Sequence, residues 1–154
     1  MREILFRGKR QNGVHKGEWV EGNLFIPDRL DTPTEICIGT SIIRITYDVI
    51  PETVGQYTGL TDKNGNKIFE GDILSVTVRE YTRECGIRKF TGNTIKTVWS
   101  VEYAERRTQG NGFFVFGKDR RFSLGLTKSV IYNANPEVIG NIYDNPELLK
   151  GGEE

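Results

Sequence analysis

The apolar residues of this chain fall in short β-branched and aromatic runs, most alternating with polar residues and punctuated by Gly, Asn or Asp every 8 to 15 positions. Few windows keep a 3.6-residue period. Side chains alternate across a strand, so the pattern predicts short antiparallel strands. Glu3–Arg7 and Glu18–Phe25 read as a hairpin with Asn12-Gly13 near its tip, since Asn-Gly supplies the positive φ of tight turns. A proline-containing loop follows in "IPDRLDTPTE", then β-branched runs in "ICIG" and "SIIRITYDVI", which Pro51 ends. "YTGL" and "KIFEGD" flank "TDKNGN", whose Asn64-Gly65 is the strongest hairpin signal in the chain.

The second half continues in the same way. Ile73–Tyr81 alternates, and so does Ile95–Ala104, with Ile95, Thr97, Trp99, Val101 and Tyr103 on one side. Between them "TRECGIRKFTGNT" reads as a charged, mobile loop. Phe113–Gly117 is a compact buried strand and Pro136–Asp144 a last one, while "KDRRFSLGLTKSV" shows neither period. Asn145 and Pro146 are a helix-start signal. The fold class expected is mainly β: an N-terminal β unit over residues 1–50, a partly open SH3-like β-barrel over 51–145, and a short C-terminal helix with an acidic tail over 146–154. Core candidates are Ile4, Phe6, Trp19, Val20, Val54, Tyr57, Leu60, Ile68, Phe69, Ile73, Val76, Trp99, Val101, Phe114, Phe116, Val138, Ile139 and Ile142.

Composition adds one feature to this pattern. The net charge is zero, yet the charges are segregated. Residues 1–72 hold 9 Lys/Arg against 11 Asp/Glu, residues 73–130 hold 11 against 5, and residues 131–154 hold 1 against 5. The basic residues of the middle segment are interleaved with Tyr81, Phe90, Tyr103 and Phe122. Arginine and lysine neutralise phosphates and exposed rings stack on bases, so Arg79, Arg83, Arg88, Lys89, Arg106, Arg107, Arg120 and Arg121 are the candidate nucleic-acid contacts. The competing reading is that the segments neutralise one another in the fold or in an oligomer.

Other chemistry has little to stand on. Asp62, Asn64 and Asn66 begin like a calcium loop, but the sixth and twelfth positions hold Lys67 and Ile73 instead of Gly and Glu. The better reading is a turn closed by local side-chain hydrogen bonds. Gly55, Gly59, Gly65 and Gly71 match no phosphate-loop spacing. Two cysteines and one histidine, His15, fall short of a structural zinc set, and no nucleophile elbow exists. No catalytic residue, cofactor or metal is expected, and a metal-dependent hydrolase or nuclease is disfavoured. No apolar run reaches the roughly 20 residues of a bilayer span. No export signal is evident, so Cys37 and Cys85 are expected reduced in the cytoplasm.

The stretch "VIPETVGQYTGLTDKNGNKIFEGDI", with "EVIGNIYDNPELL" and the opening "REILFRGKR" and "GEWVEGNL", resembles the YopX family, small proteins of phages and prophages in low-GC Gram-positive bacteria. The resemblance covers both ends and the centre and does not anchor residues 78–134. It implies a homo-oligomeric phage or prophage protein of uncharacterised biochemical role, in the cytoplasm of a bacterial host. It supplies no catalytic residues. The function expected is therefore a non-enzymatic accessory protein that binds a macromolecular partner, a phage or host protein; the alternative is a nucleic-acid-binding module using residues 79–128.

Overall fold

The computed structural model describes residues 3–26, 35–39, 44–106, 110–117 and 123–150. Over them the alternating runs become strands, and the chain divides into two compact units, residues 1–59 and 60–154. The fold is mainly β, as expected. Among the described residues the strands lie in two antiparallel sheets, and neither closes into a barrel.

In the first unit β1 (Phe6–Lys9) and β2 (Trp19–Phe25) form the expected hairpin, with Phe6 opposite Gly22 and Lys9 opposite Trp19. The first strand starts three residues later than its apolar pattern suggests, and Ile4 is exposed rather than in the core. β3 (Glu35–Gly39) and β4 (Arg44–Asp48) extend the sheet beyond β2, and β5 (Gly55–Thr61) pairs on the other side of β1. The proline-containing loop at residues 27–34 lies outside the described residues. Pro51–Thr53 form one 3₁₀ turn, and the Thr53 hydroxyl donates to the Ile50 carbonyl while accepting from the Lys9 amide. Val49 is fully buried against Gly8, where a Cβ would come within 3.0 Å of the valine Cβ; only glycine allows that approach.

The second unit is built on a sheet of order β10-β9-β8-β7-β11. Its strands are β7 (Asp72–Glu84), β8 (Ile87–Arg106), β9 (Gly110–Gly117), β10 (Ser123–Gly125) and β11 (Glu137–Asn141), with the short β6 (Lys67–Phe69) preceding them. Leu74 lies opposite Trp99, and Val101 opposite Val115; with Ile68, Val76 and Ala134 they form the core. Phe114 and Phe116 are buried as well, so β9 is apolar on both faces. Ile139, expected in the core, is 38% exposed. The ambiguous stretch after β9 contains a helix, α1 (Lys128–Ala134). Its signals are terminal ones: the Thr127 hydroxyl accepts from the Val130 amide, Asn135 takes the left-handed conformation, and Pro136 follows. The expected C-terminal helix is a single 3₁₀ turn, Pro146–Leu149. Asn145 does not cap it through its side chain; its Oδ1 accepts instead from the Asn141 amide.

The Asp62–Asn66 turn is where a local signal turns out to have long-range reach. Asp62 is 6% exposed. One carboxylate oxygen accepts from the amides of Asn64 and Asn66, both at 2.8 Å, and the other accepts from Asn66 Nδ2 and from the amide of Val138 in β11. Burial alone would raise its pKa, but the hydrogen bonds from Val138, Asn66 and Asn64 outweigh it and hold the carboxyl below the ordinary value. Lys63 adds an ion pair to Glu137 at 2.6 Å, which lowers that carboxyl also. The calcium-like spacing is thus a turn that pins β11.

Asp62→Ala should cost about 1–3 kcal/mol in urea unfolding at pH 7, because buried N–H groups lose a charged acceptor. Asp62 stabilises the fold above its unfolded pKa of about 3.9, and that contribution fades as pH falls through the lower folded value. Asp62→Asn should therefore flatten the acid limb of the stability curve. Gly71 sits at φ +83° in the turn into β7, and a Cβ there would lie 3.3 Å from Asn141 Nδ2. Gly71→Ala should accordingly lower stability by about 1–2 kcal/mol, read by thermal melting.

Candidate nucleic-acid interface

The segment expected to be a mobile loop is instead the far end of a long hairpin. β7 and β8 stay paired out to Glu84 opposite Ile87, leaving a two-residue turn at Cys85-Gly86. Both turn residues have positive φ, 48° and 82°. That is the backbone a tight hairpin demands, with cysteine where asparagine is usual. A bulge between Arg79 and Tyr81 takes up the surplus residues of β8. Every residue from Tyr81 to Lys96 is exposed, so this part of the hairpin is an arm.

Register decides what each face of the arm carries. Tyr81 lies opposite Phe90 and Arg83 opposite Arg88, two pairs separated by one, so all four share a face. The rings of Tyr81 and Phe90 are 5.7 Å apart. The Arg88 guanidinium lies 4.0 Å from the Tyr81 ring centre and that of Arg79 lies 5.7 Å from Phe90. Cation–ring contacts at these distances hold flexible arginines over a defined surface. The rings remain open, at 40% exposure for Tyr81 and 45% for Phe90.

The carboxylates point the other way. Thr82 opposite Lys89 and Glu84 opposite Ile87 belong to the second face. There Lys89 reaches Glu84 at 3.7 Å, and Glu80 accepts from the Thr91 hydroxyl and Asn93 Nδ2. The result is a ribbon with three guanidiniums and two rings on one side and two occupied carboxylates on the other.

The eight basic candidates therefore do not stand together. Arg79, Arg83 and Arg88 share the ring-bearing face, and Lys89 lies behind them. Arg106 ends β8, at the strand's opposite end from the arm tip. Arg107, Arg120 and Arg121 lie outside the described residues. A second cluster escapes a charge count because its segment is acidic on balance: Arg7 and Lys9 lie over Trp19, at 4.6 and 5.6 Å, and Arg10 over Tyr47 at 4.4 Å. His15 is exposed in its loop and contacts Glu18, and Cys85 is an exposed thiol at the arm tip. Among the described residues no group of His, Cys, Asp and Glu is placed to hold a metal ion, and no helix is long and apolar enough to cross a membrane.

If the Tyr81–Phe90 pair stitches the arm, Tyr81→Ala should speed tryptic cleavage at Arg83, Arg88 and Lys89 several-fold. The melting temperature should barely move, because the ring lies outside the core; mass spectrometry of a digestion time course reads the first part.

Comparison with known proteins agrees with this architecture. Protein EF1440 from Enterococcus faecalis, known from its crystal structure, matches with a TM-score of 0.52 and 25% identity, over 97% of this chain and 100% of its own. No curated protein matches. The YopX protein family matches over residues 6–150, which takes in both sheets and the arm between the stretches that carry the sequence resemblance. The chain belongs to the YopX family.

Proposed function

We propose that the chain is a non-enzymatic binding protein of a phage or prophage whose partner is single-stranded nucleic acid, engaged by the β7–β8 arm. The observation that carries this is the sorting of charge by face: Arg79, Arg83 and Arg88 surround the open rings of Tyr81 and Phe90, and Glu80 and Glu84 are held behind. Guanidiniums spaced along a ribbon neutralise successive phosphates. Rings exposed between them offer faces for unpaired bases, a contact worth about 1–3 kcal/mol per base. The phage setting, the host cytoplasm and the homo-oligomeric state rest on what family resemblance implies, and repetition of the arm in an oligomer would multiply its contacts along one strand.

Fluorescence anisotropy with labelled oligothymidylate and a duplex control, across a salt series, tests this. Light scattering first fixes the mass of the binding species. Affinity for the single strand should exceed that for the duplex and fall log-linearly with salt. Arg83→Gln should reduce the slope by about 0.7 for each phosphate contact removed. Tyr81→Ala with Phe90→Ala should weaken binding roughly tenfold or more with little change in slope. Absence of binding at low salt overturns the reading; preference for the duplex would replace base stacking by insertion of the ribbon into a groove.

A further inference from the structure

Beside the arm, within the second unit, lies a cavity of about 1120 Å³. Its floor is the core face of the sheet, with Val78, Trp99 and Leu124, and its wall is α1, with Val130 and Asn133. Leu149 of the last 3₁₀ turn closes one side. The space exceeds the roughly 300–1,000 Å³ of most small-molecule pockets, and its apolar stretch, Val78, Trp99, Leu124, Val130 and Leu149, is edged by Thr77, Thr97 and Ser129. The lining is not uniform. At the end towards the arm it meets Arg79, Tyr81 and Arg88.

Those two guanidiniums contact the Phe90 and Tyr81 rings, and neither forms an ion pair among the described residues. The nearest carboxylates in sequence are already engaged, Glu80 by Thr91 and Glu84 by Lys89. An apolar chamber with two arginines at one end is complementary to a molecule with one anionic head and one apolar body. Guanidinium pairs bidentately with the planar fork of a carboxylate, as it does with a phosphate.

We propose that this cavity binds a single-tailed amphipathic carboxylate, with the head between Arg79 and Arg88 and the tail along Val78, Trp99, Leu124 and Val130. The site shares Arg79, Tyr81 and Arg88 with the proposed nucleic-acid face, but Arg83 and Phe90 do not line it and Ser129 lies outside the arm, so variants at those positions tell the two readings apart.

Trp99 reports occupancy directly. In a Trp19→Phe background, dodecanoate below its micellar concentration should change Trp99 fluorescence saturably, with calorimetry giving the stoichiometry. Dodecanol should bind at least roughly tenfold more weakly, matching the loss of a charged hydrogen bond. Dodecyltrimethylammonium should not bind. Arg79→Gln with Arg88→Gln should weaken dodecanoate to the level of dodecanol. Ser129→Phe, which fills the groove from the exposed side of α1, should block the tail while leaving the melting temperature intact, and Arg83→Gln should leave dodecanoate binding unchanged. Equal affinity for the three amphiphiles, or indifference to both Ser129→Phe and the arginine pair, overturns the site. Dodecanoate binding that persists when no oligonucleotide binds leaves this site standing and removes only the arm's proposed partner.

Discussion

The register between β7 and β8 is the constraint on which the second unit depends. One ladder sets Leu74 against Trp99 at the base and Tyr81 against Phe90 in the arm. Because side chains alternate, a slip of one residue would carry Phe90 and Arg88 to the face that holds Glu80 and Glu84, and would turn Trp99 away from Leu74. Core and arm are therefore specified together. The two-residue turn at Cys85-Gly86 fixes the pairing at the tip, and the buried pairs fix it at the base. The bulge at Arg79 reconciles the two, and lies where the strands leave the core for solvent.

Short polar side chains hold the rest of the unit to that ladder. Asp62 closes its own turn and, through the Val138 amide, ties it to β11, which pairs with the first residues of β7. Asp72 accepts from the Phe69 amide at 2.7 Å, and Gly71 donates to the Val101 carbonyl and accepts from the Ile142 amide. Asp62, Asp72 and Gly71 of "TDKNGNKIFEGD" thus serve architecture, satisfying backbone groups that would otherwise be costly.

Period-two alternation made most strands legible, and Asn64-Gly65 marked its hairpin correctly. What escaped had physical reasons. The arm residues 82–94 alternate in charge and polarity rather than in hydropathy, because neither face is buried, and Cys85-Gly86 is an unusual filling of a turn usually marked by asparagine. α1 is too short for a period to show; only Thr127 and the Asn135-Pro136 pair betrayed its ends. Ile4 and Ile139 are apolar residues in strand-like runs that face solvent, which hydropathy alone cannot distinguish. At the candidate site, composition located the basic segment and its aromatics but not their arrangement. Arg83 and Arg88 are separated by a turn and meet face to face, whereas Lys89, adjacent in sequence, points away.

The proposed binding belongs to one face of the arm. Nuclear magnetic resonance of the labelled protein, titrated with a short oligothymidylate, tests it most directly. The guanidinium signals of Arg79, Arg83 and Arg88 and the ring signals of Tyr81 and Phe90 should move together and saturate together, with Glu80, Glu84 and Lys89 nearly still. Perturbation centred on the carboxylate face, spread evenly over the basic residues, or absent altogether would contradict it.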